Sequence, residues 1–227
     1  FFKQAPTMAA HPSVEPFLRP FQPADRDALF KIAADTAYFG DPIEAYLEDR
    51  RIFLDAFYAY YTDLEPEHIW VAEAGGELAG FLTGCIDTKR QQLQTHEIIR
   101  PRAWRKFLRG AYRIGPKGLR YLLELFLAGL RREGTKVDLQ RYPAHLHINV
   151  AAAWRGKGLG RRLMLAYLDQ LRESGAPGVH LQTTSRNEAA CRMYESLGFR
   201  LVDARLSRMW RWKFPEPLEE RAYAREL

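Results

Sequence analysis

Six consecutive residues, Arg155-Gly156-Lys157-Gly158-Leu159-Gly160, combine closely spaced glycines with cationic side chains. Glycine lets the backbone turn tightly and approach a ligand closely. Apolar residues follow at helical spacing and predict that a helix begins at Leu159, so its free N–H groups and positive dipole end favour phosphate oxygens. Arg161 adds a further positive charge. The loop therefore predicts a diphosphate site.

Two kinds of nucleotide-binding loop are excluded by what this segment lacks. A nucleoside triphosphate loop needs Gly-Lys-Ser/Thr, and a dinucleotide-binding loop needs a third glycine where Arg161 or Leu163 stands. A short glycine run before a helix is also compatible with a tight turn that binds nothing. Taken alone, the loop leaves both interpretations open.

Polar residues suited to proton transfer lie on the segment just before this loop. His145, His147 and Asn149 alternate with apolar residues, which places the three polar side chains on one face of a predicted strand. A histidine can accept the proton of an amine near pH 7, so these histidines could act as bases. The alternative is that they are polar strand residues that bond only within the protein. Two histidines without a third ligand do not predict a zinc site, so no metal is expected.

The elements that would position these residues follow from periodicity and turn signals. After Pro143 the pattern is strand, helix, strand, helix, which implies a parallel pair of strands in a mixed sheet. Gly75-Gly76 predicts a hairpin. The predicted strands are 17–21, 69–73, 77–86, 145–150, 179–183 and 205–214, and the predicted helices begin at Asp25, after Pro42, and span 159–173 and 187–197.

A basic block interrupts this pattern, because residues 89–136 hold thirteen Lys or Arg against three Glu in a chain of net charge +6. Its apolar residues at helical spacing predict a helix with two apolar sides, and therefore a lid, a homodimer contact, or both. Nucleic-acid binding is disfavoured because no aromatic-containing recognition motif accompanies the charge. Membrane docking is disfavoured because Glu124 and Glu133 interrupt the helix. The apolar stripe consists of Leu119, Leu122, Leu123, Phe126 and Leu130.

The chain has 227 residues, of which 47% are hydrophobic, and this length suits one well-buried domain. We expect a mobile tail at 1–16, a single domain at 17–214 with a basic helical insertion at 88–140, and a C-terminal tail at 215–227 that forms a short surface helix. The absence of a long apolar run or a signal-peptide pattern predicts a cytoplasmic protein. Cys85 and Cys191 are too few for a disulfide framework.

Two motifs resemble one family. Arg155-x-x-Gly158-x-Gly160 resembles the Gln/Arg-x-x-Gly-x-Gly/Ala pyrophosphate loop of the GNAT superfamily of N-acetyltransferases. The segment from Asn187 to Phe199 resembles that family's second conserved segment, in which an Asn opens a helix and Tyr-x-x-x-Gly-Phe closes it. The resemblance is close over 143–214 and loose over 17–83.

The resemblance implies an α/β fold with a mixed sheet whose two central parallel strands splay apart around the pantetheine arm of acetyl-CoA. It implies that loop N–H groups hold the pyrophosphate and that main-chain groups of the preceding strand bind pantetheine. The residues it assigns to the cofactor are Ile148, Asn149, Val150, Arg155, Gly156, Lys157, Gly158, Leu159, Gly160, Arg161, Asn187 and Tyr194.

The resemblance also implies direct acetyl transfer in a ternary complex to a primary amine of a small molecule or a protein. Tyr194 is then the acid for the departing thiolate, with a buried structural tyrosine as the alternative. His147 and His145 are the candidate bases, and Asn187 is alternatively a helix N-cap. A catalytically silent GNAT-fold module that binds coenzyme A or a partner is the competing function.

Overall fold

The computed structural model describes residues 15–227, so residues 1–14 of the predicted mobile tail lie outside the described residues. The strands are β1 (Phe17–Pro20), β2 (Ile69–Ala74), β3 (Glu77–Cys85), β4 (Ala144–Val150), β5 (Gly178–Thr184), β6 (Arg200–Ser207) and β7 (Leu218–Glu226). The helices are α1 (Arg26–Thr36), α2 (Arg50–Phe53), α3 (Ala59–Leu64), α4 (Thr88–Gln94), α5 (Arg100–Leu108), α6 (Pro116–Leu130), α7 (Leu159–Glu173) and α8 (Glu188–Ser196). Two π-helical turns, Leu54–Tyr58 and Thr95–Ile99, join α2 to α3 and α4 to α5.

All seven strands form one sheet in the order β1-β2-β3-β4-β5-β7-β6. Only β4 and β5 run parallel to each other among these neighbours. They pair through Ala144 with Val179 and His145 with His180 and then separate, so the β4 edge from residue 146 to 150 has no strand partner on that side. The predicted mixed sheet with a splayed parallel pair is confirmed.

Helices cover both faces of the sheet and form two cores. α7 and α8 pack on one face, where Leu146 and Tyr167 are buried, and α1 to α3 pack on the other, where Tyr61 and Phe81 are buried. The Tyr167 hydroxyl donates to the carbonyl oxygens of Cys85 at 3.1 Å and His145 at 3.2 Å. It therefore ties β3 and β4 together directly beneath the histidine-bearing face.

Elements with strong local signals lie where they were predicted. Gly75 and Gly76 adopt φ of +60° and +82° in the turn between β2 and β3, which is the left-handed conformation that a tight hairpin turn requires. The helix predicted to begin at Leu159 does so and ends at Glu173. The insertion is helical as predicted, and it contributes α4, α5 and α6.

The C-terminal segment differs from its prediction. Instead of a surface helix, residues Leu218–Glu226 form β7, which lies inside the sheet between β5 and β6. On one face of this strand, the guanidinium of Arg221 donates to the carboxylate of Glu219. The next three residues of the strand, Ala222, Tyr223 and Ala224, are buried.

The strand predicted over 205–214 ends early, at Ser207. Residues 208–214 form turns, with hydrogen bonds from the N–H groups of Lys213 and Phe214 to the Trp210 carbonyl. The turns allow Trp210 to contact Tyr38 and Tyr46, with ring centroids 5.5 and 5.3 Å apart, respectively. Aromatic packing against a distant segment therefore overrides the β-propensity of this sequence.

Both cysteines are buried and unpaired, as expected from their number. Within residues 15–227, no helix has the length and apolar character needed to cross a membrane.

Candidate functional site

The glycine loop lies between the open end of β4 and the start of α7. Gly156 and Gly158 adopt φ of +74° and +75°, a region in which residues with a Cβ are strained. Gly158 directly precedes the first turn of α7, whose N–H groups have no partner inside the helix. The backbone conformation at these two positions therefore favours glycine. The first turn of α7 that follows presents unpaired main-chain N–H groups.

The basic side chains of this loop bond to the protein. The Arg155 guanidinium donates to the Val150 carbonyl at 3.1 Å and to the Gly40 carbonyl at 3.4 Å. Lys157 lies 4.7 Å from the centre of the Trp154 ring, and Arg161 donates to the Ser196 hydroxyl. Arg155 therefore braces the loop, and an anion here would meet main-chain donors in a positive field.

Three elements meet beside the loop. A Cβ placed on Gly160 of α7 would lie 3.4 Å from Sδ of Met193 on α8 and 3.7 Å from Cδ1 of Ile148 on β4. The strand edge predicted to bind pantetheine, the loop and the helix that carries Tyr194 therefore converge at the splay of the sheet. Leu159 anchors the start of α7 in the core.

Tyr194 is buried on α8, with its ring 6.2 Å from Phe199 and 6.0 Å from Tyr223. Its hydroxyl makes no hydrogen bond to another of the described residues, and burial raises its pKa above the usual 10. Asn187 precedes α8, but its side chain makes no capping bond and donates instead to Thr183 Oγ1 at 3.4 Å. Asn187 therefore does not form the side-chain hydrogen bond that an N-cap role requires.

Both ring nitrogens of His145 are engaged. The Thr88 hydroxyl donates to the Pro143 carbonyl at 2.6 Å, so its oxygen accepts from Nδ1–H of His145 at 2.7 Å. Nε2 then carries no proton and accepts from the Tyr61 hydroxyl at 2.7 Å. Burial holds the pKa of His145 well below its usual 6.5. This histidine is neutral, fixed in one tautomer, and without a free nitrogen.

His147 lies on the same face of β4 but has a different environment. Its ring packs edge-on against Phe57 at 4.6 Å and Tyr61 at 5.6 Å, and its nitrogens make no hydrogen bond to the part of the chain that the structure describes. Burial, and to a smaller extent the nearby His180, lower its pKa to about 4. The side chain is therefore an unprotonated acceptor at neutral pH.

Asn149 completes the predicted polar face. Its side chain accepts from the Tyr58 hydroxyl at 2.9 Å and donates to Thr36 Oγ1 at 2.7 Å. The side chain is thus directed toward α1 and the π-helical turn, away from α7. The main chain of Asn149 faces β3, where it pairs with Phe81.

Two residues near this face were missed by the sequence analysis. His180 lies on β5 opposite His145, with ring centroids 5.6 Å apart, and donates from Nδ1 to the Tyr142 carbonyl at 2.9 Å. Glu220 pairs with Thr184 in the sheet, and burial raises its pKa to about 7. The alternation in β5 could have placed His180 on this face, but nothing local revealed that Glu220 lies in a strand.

An aromatic wall stands on the same side of the sheet. Tyr46 contacts Tyr121 of α6 at 4.8 Å and Trp210 of the β6–β7 connection at 5.3 Å. Three segments distant in sequence therefore meet: the connection after α1, the insertion and the β6–β7 connection. Within residues 15–227, no group of three or more potential metal ligands is present.

The segment that forms the splay also carries the sequence similarity. The profile of the acetyltransferase (GNAT) family matches residues 129–199, which contain β4, α7, β5 and α8. Over these residues the chain is similar to the GNAT acetyltransferase family. The resemblance inferred from Arg155-x-x-Gly158-x-Gly160 and the Asn187–Phe199 segment is confirmed.

Solved structures extend the similarity to the whole GNAT fold. The crystal structure of a protein named SsHAT is 27% identical, covers 93% of this chain and 98% of its own, and superposes with a TM-score of 0.66. A Salmonella typhimurium acetyltransferase, solved with acetyl-CoA, has the same fold at 18% identity, with 94% of each chain covered and a TM-score of 0.57.

Curated relatives match over a shorter stretch. Mycothiol acetyltransferase of Nocardiopsis dassonvillei is 54% identical over 56 residues, which are 25% of this chain and 17% of that protein. The chain thus matches about a sixth of the length of this relative, and the relative's acceptor is a property of that protein.

Proposed function

We propose that this GNAT chain transfers the acetyl group of acetyl-CoA to a primary amine by direct transfer in a ternary complex. The observation that carries the proposal is the convergence of the open β4 edge, the positive-φ glycine loop and Tyr194 at one splay of the sheet.

The donor set fits coenzyme A. The unpartnered edge of β4 from residue 146 to 150 presents main-chain groups to an extended arm, and pantetheine carries amides that pair with such an edge. The loop at the end of this edge offers main-chain N–H groups at a helix N-terminus, which suits a pyrophosphate. In this arrangement the main chains of Ile148 and Val150 hold the arm, because that of Asn149 pairs with Phe81 of β3. Lys157, Gly158, Gly160 and Arg161 hold the diphosphate through their main chains.

His147 serves as the base in the proposed reaction. An amine acceptor arrives as an ammonium ion, and its proton must leave before nitrogen can attack the thioester carbonyl. The unbonded ring nitrogen of His147 accepts this proton directly or through one water. His145 has no free nitrogen, so it acts by fixing the Tyr61 side chain that packs against His147.

Tyr194 serves as the acid. As the C–S bond breaks, negative charge develops on sulfur, and the hydroxyl of Tyr194 donates its proton there. Its raised pKa keeps the proton on the phenol at neutral pH until that charge appears. The phenolate regains a proton from the nitrogen of the new amide, so the net products are the acetylated amine, free coenzyme A and one proton.

In the proposed complex the acceptor binds on the His147 side of the sheet, and the position of the aromatic wall and Glu220 on that side supports this. The acceptor then approaches from the segments that contribute Tyr46, Tyr121 and Trp210, opposite the face covered by α7 and α8. This leaves cofactor and acceptor on separate approaches to the same splay, as a ternary complex requires.

The test is acetyl transfer to a broad panel of small amines and peptide N-termini, with Tyr194→Phe and a matched control. In Tyr194→Phe we expect kcat to fall by roughly a hundredfold or more, while the affinity for acetyl-CoA changes little. Tyr223→Phe removes a neighbouring buried hydroxyl that donates to Glu195 at 3.0 Å, and it should keep the parental kcat.

Two results would count against the proposal. Tight acetyl-CoA binding without turnover of any amine would identify a silent module. Equal kcat in Tyr194→Phe and the parent protein would remove the acid role while leaving the transferase activity.

A further inference from the structure

The apolar stripe of α6 is directed into solvent. Five side chains on one face of this helix are each more than half exposed, an unusual state for Leu and Phe in a folded domain. They are Leu119 (61%), Leu122 (51%), Leu123 (56%), Phe126 (63%) and Leu130 (65%).

The opposite face of α6 explains this orientation. On this face Gly118 and Ala128 are buried, and the Tyr121 ring contacts that of Tyr46 at 4.8 Å. Glu48 accepts from the main-chain N–H groups of Gly115, Lys117 and Gly118 and so fixes the start of the helix. The helix is thus anchored by its polar side and presents its apolar side outward.

Carboxylates do not interrupt the outward face. Glu133 is buried and accepts from the Ser207 hydroxyl and the Arg208 main chain, and Glu124 is only partly exposed, near Arg131. These are the two residues that argued against membrane docking in the sequence. In the structure both lie off the outward face, so the objection they raised is removed.

Cations flank the outward face at both ends. Lys117 and Arg120 are exposed in the first turns of α6, where Lys117 also donates to the Glu44 carbonyl and Arg120 lies over the Trp212 ring. Arg131 and Arg132 are exposed just after its last turn, where Arg131 pairs with Glu133. α5 repeats the arrangement, with an exposed pair of stacked rings, Trp104 and Phe107, 4.9 Å apart, among exposed arginines.

A second copy of the chain fits this surface poorly. Because both ends of α6 are basic, a parallel or an antiparallel pairing of two such helices would bring like charges together. Symmetric pairs bury the same patch on both sides, so the repulsion has no compensation from this surface. An anionic layer with an apolar interior matches both the charge and the apolar stripe.

We propose that α6 docks the protein onto anionic lipid bilayers, lying in the plane of the interface with Leu119, Leu122, Leu123, Phe126 and Leu130 among the acyl chains. At about 22 Å the helix is too short to span a bilayer but is long enough to lie in it. Lys117, Arg120, Arg131 and Arg132 meet the lipid headgroups. Docking places the aromatic wall, to which Tyr121 of α6 belongs, close to the membrane surface.

The experiment is co-sedimentation of the full chain with phosphatidylcholine vesicles that contain or lack phosphatidylglycerol. We expect binding to the anionic vesicles and little to the neutral ones. The triple variant Leu122→Gln, Leu123→Gln, Phe126→Gln should lose at least about tenfold in partition coefficient. Lys117→Gln with Arg132→Gln should lose roughly 25-fold, because each cation near an anionic surface contributes about fivefold.

A matched control tests whether any exposed apolar residue would have the same effect. Leu201→Gln with Leu206→Gln removes two exposed leucines of β6 (49% and 68%) and should leave vesicle binding unchanged. Circular dichroism and thermal unfolding verify that each variant is folded, which we expect because the replaced side chains are exposed.

Three outcomes would overturn the proposal. The parent protein could fail to bind anionic vesicles, or the triple variant could bind them as well as the parent. The third outcome is measured by sedimentation equilibrium. If the parent protein is a dimer that does not bind vesicles, and the triple variant is a monomer, then a second copy of the chain covers α6.

Discussion

The lowered pKa of His147 permits a test that requires no knowledge of the acceptor. Burial lowers this pKa to about 4 from the usual 6.5, whereas in the unfolded chain the side chain titrates at its usual value. Between these two values the unfolded state binds a proton that the folded state does not. The free energy of unfolding must therefore decrease as the pH falls, with the stabilisation present above pH 6.5 and lost toward pH 4.

The magnitude follows from the two pKa values. A difference of about 2.5 pH units corresponds to about 3 kcal/mol in total, of which about 2 kcal/mol is lost between pH 8 and pH 5. His147→Gln and His147→Phe both remove the titrating group. In each variant, the decrease in unfolding free energy from pH 8 to pH 5 should be about 2 kcal/mol smaller than in the parent protein.

The measurement is urea denaturation followed by tryptophan fluorescence at both pH values and constant ionic strength. Gln and Phe differ in polarity and volume, so their packing effects differ from each other but contribute similarly at both pH values. His145 and His180, whose pKa values burial also lowers, remain in all three proteins. If both variants lose as much stability as the parent, His147 is not desolvated and the basis for its role as a neutral proton acceptor disappears.

Three further perturbations follow from the geometry. A Cβ at Gly84 would lie 2.3 Å from the Tyr167 ring, so Gly84→Ala should lower the free energy of unfolding, measured by urea denaturation, by about 3 kcal/mol. The control Gly134→Ala places its Cβ near no other atom and should be nearly neutral. Equal effects of the two substitutions would contradict the predicted clash. Gly158→Ala forces a Cβ into φ +75° and should lower stability by about 1 kcal/mol, whereas an unchanged melting temperature would show that the loop relaxes. The pKa of Glu220, raised by burial to about 7, means that stability is lost as pH rises from 4.5 through 7. Glu220→Gln should therefore gain roughly 2–3 kcal/mol at pH 8 relative to its effect at pH 4, and a change independent of pH would refute the burial.

The elements of the proposed cofactor site were predictable because their signals are local. β4, the glycine loop and α7 are consecutive, and each boundary has a residue with a conformational reason, such as Gly158 at φ +75° before the first turn of α7. The alternation from His145 to Val150 likewise determines which side chains share a face, whatever packs against them. Such features depend on backbone preferences of adjacent residues, so a single sequence carries them.

The acceptor half could not be predicted, because its elements form only through tertiary contacts. β7 contains both Glu and Arg, a composition that also suits an exposed helix. It is a strand because β5 and β6 supply hydrogen bonds on both edges. The turns after Ser207 form because Trp210 packs against Tyr38 and Tyr46, about 170 residues earlier in the chain. Neither pairing leaves a local signal in the segments that it joins.

α6 shows why a correct periodicity can still leave a function open. The apolar spacing predicts a helix whichever way its stripe faces, since the hydrogen bonds of the helix are internal. What decides the orientation is the opposite face, where Gly118 and Ala128 allow close approach and Tyr121 contacts Tyr46. The small inward residues leave the outward leucines without protein contacts. The same geometry that fixes Tyr121 in the aromatic wall therefore exposes the apolar surface proposed to meet a bilayer, and a change in the inward face should alter both together.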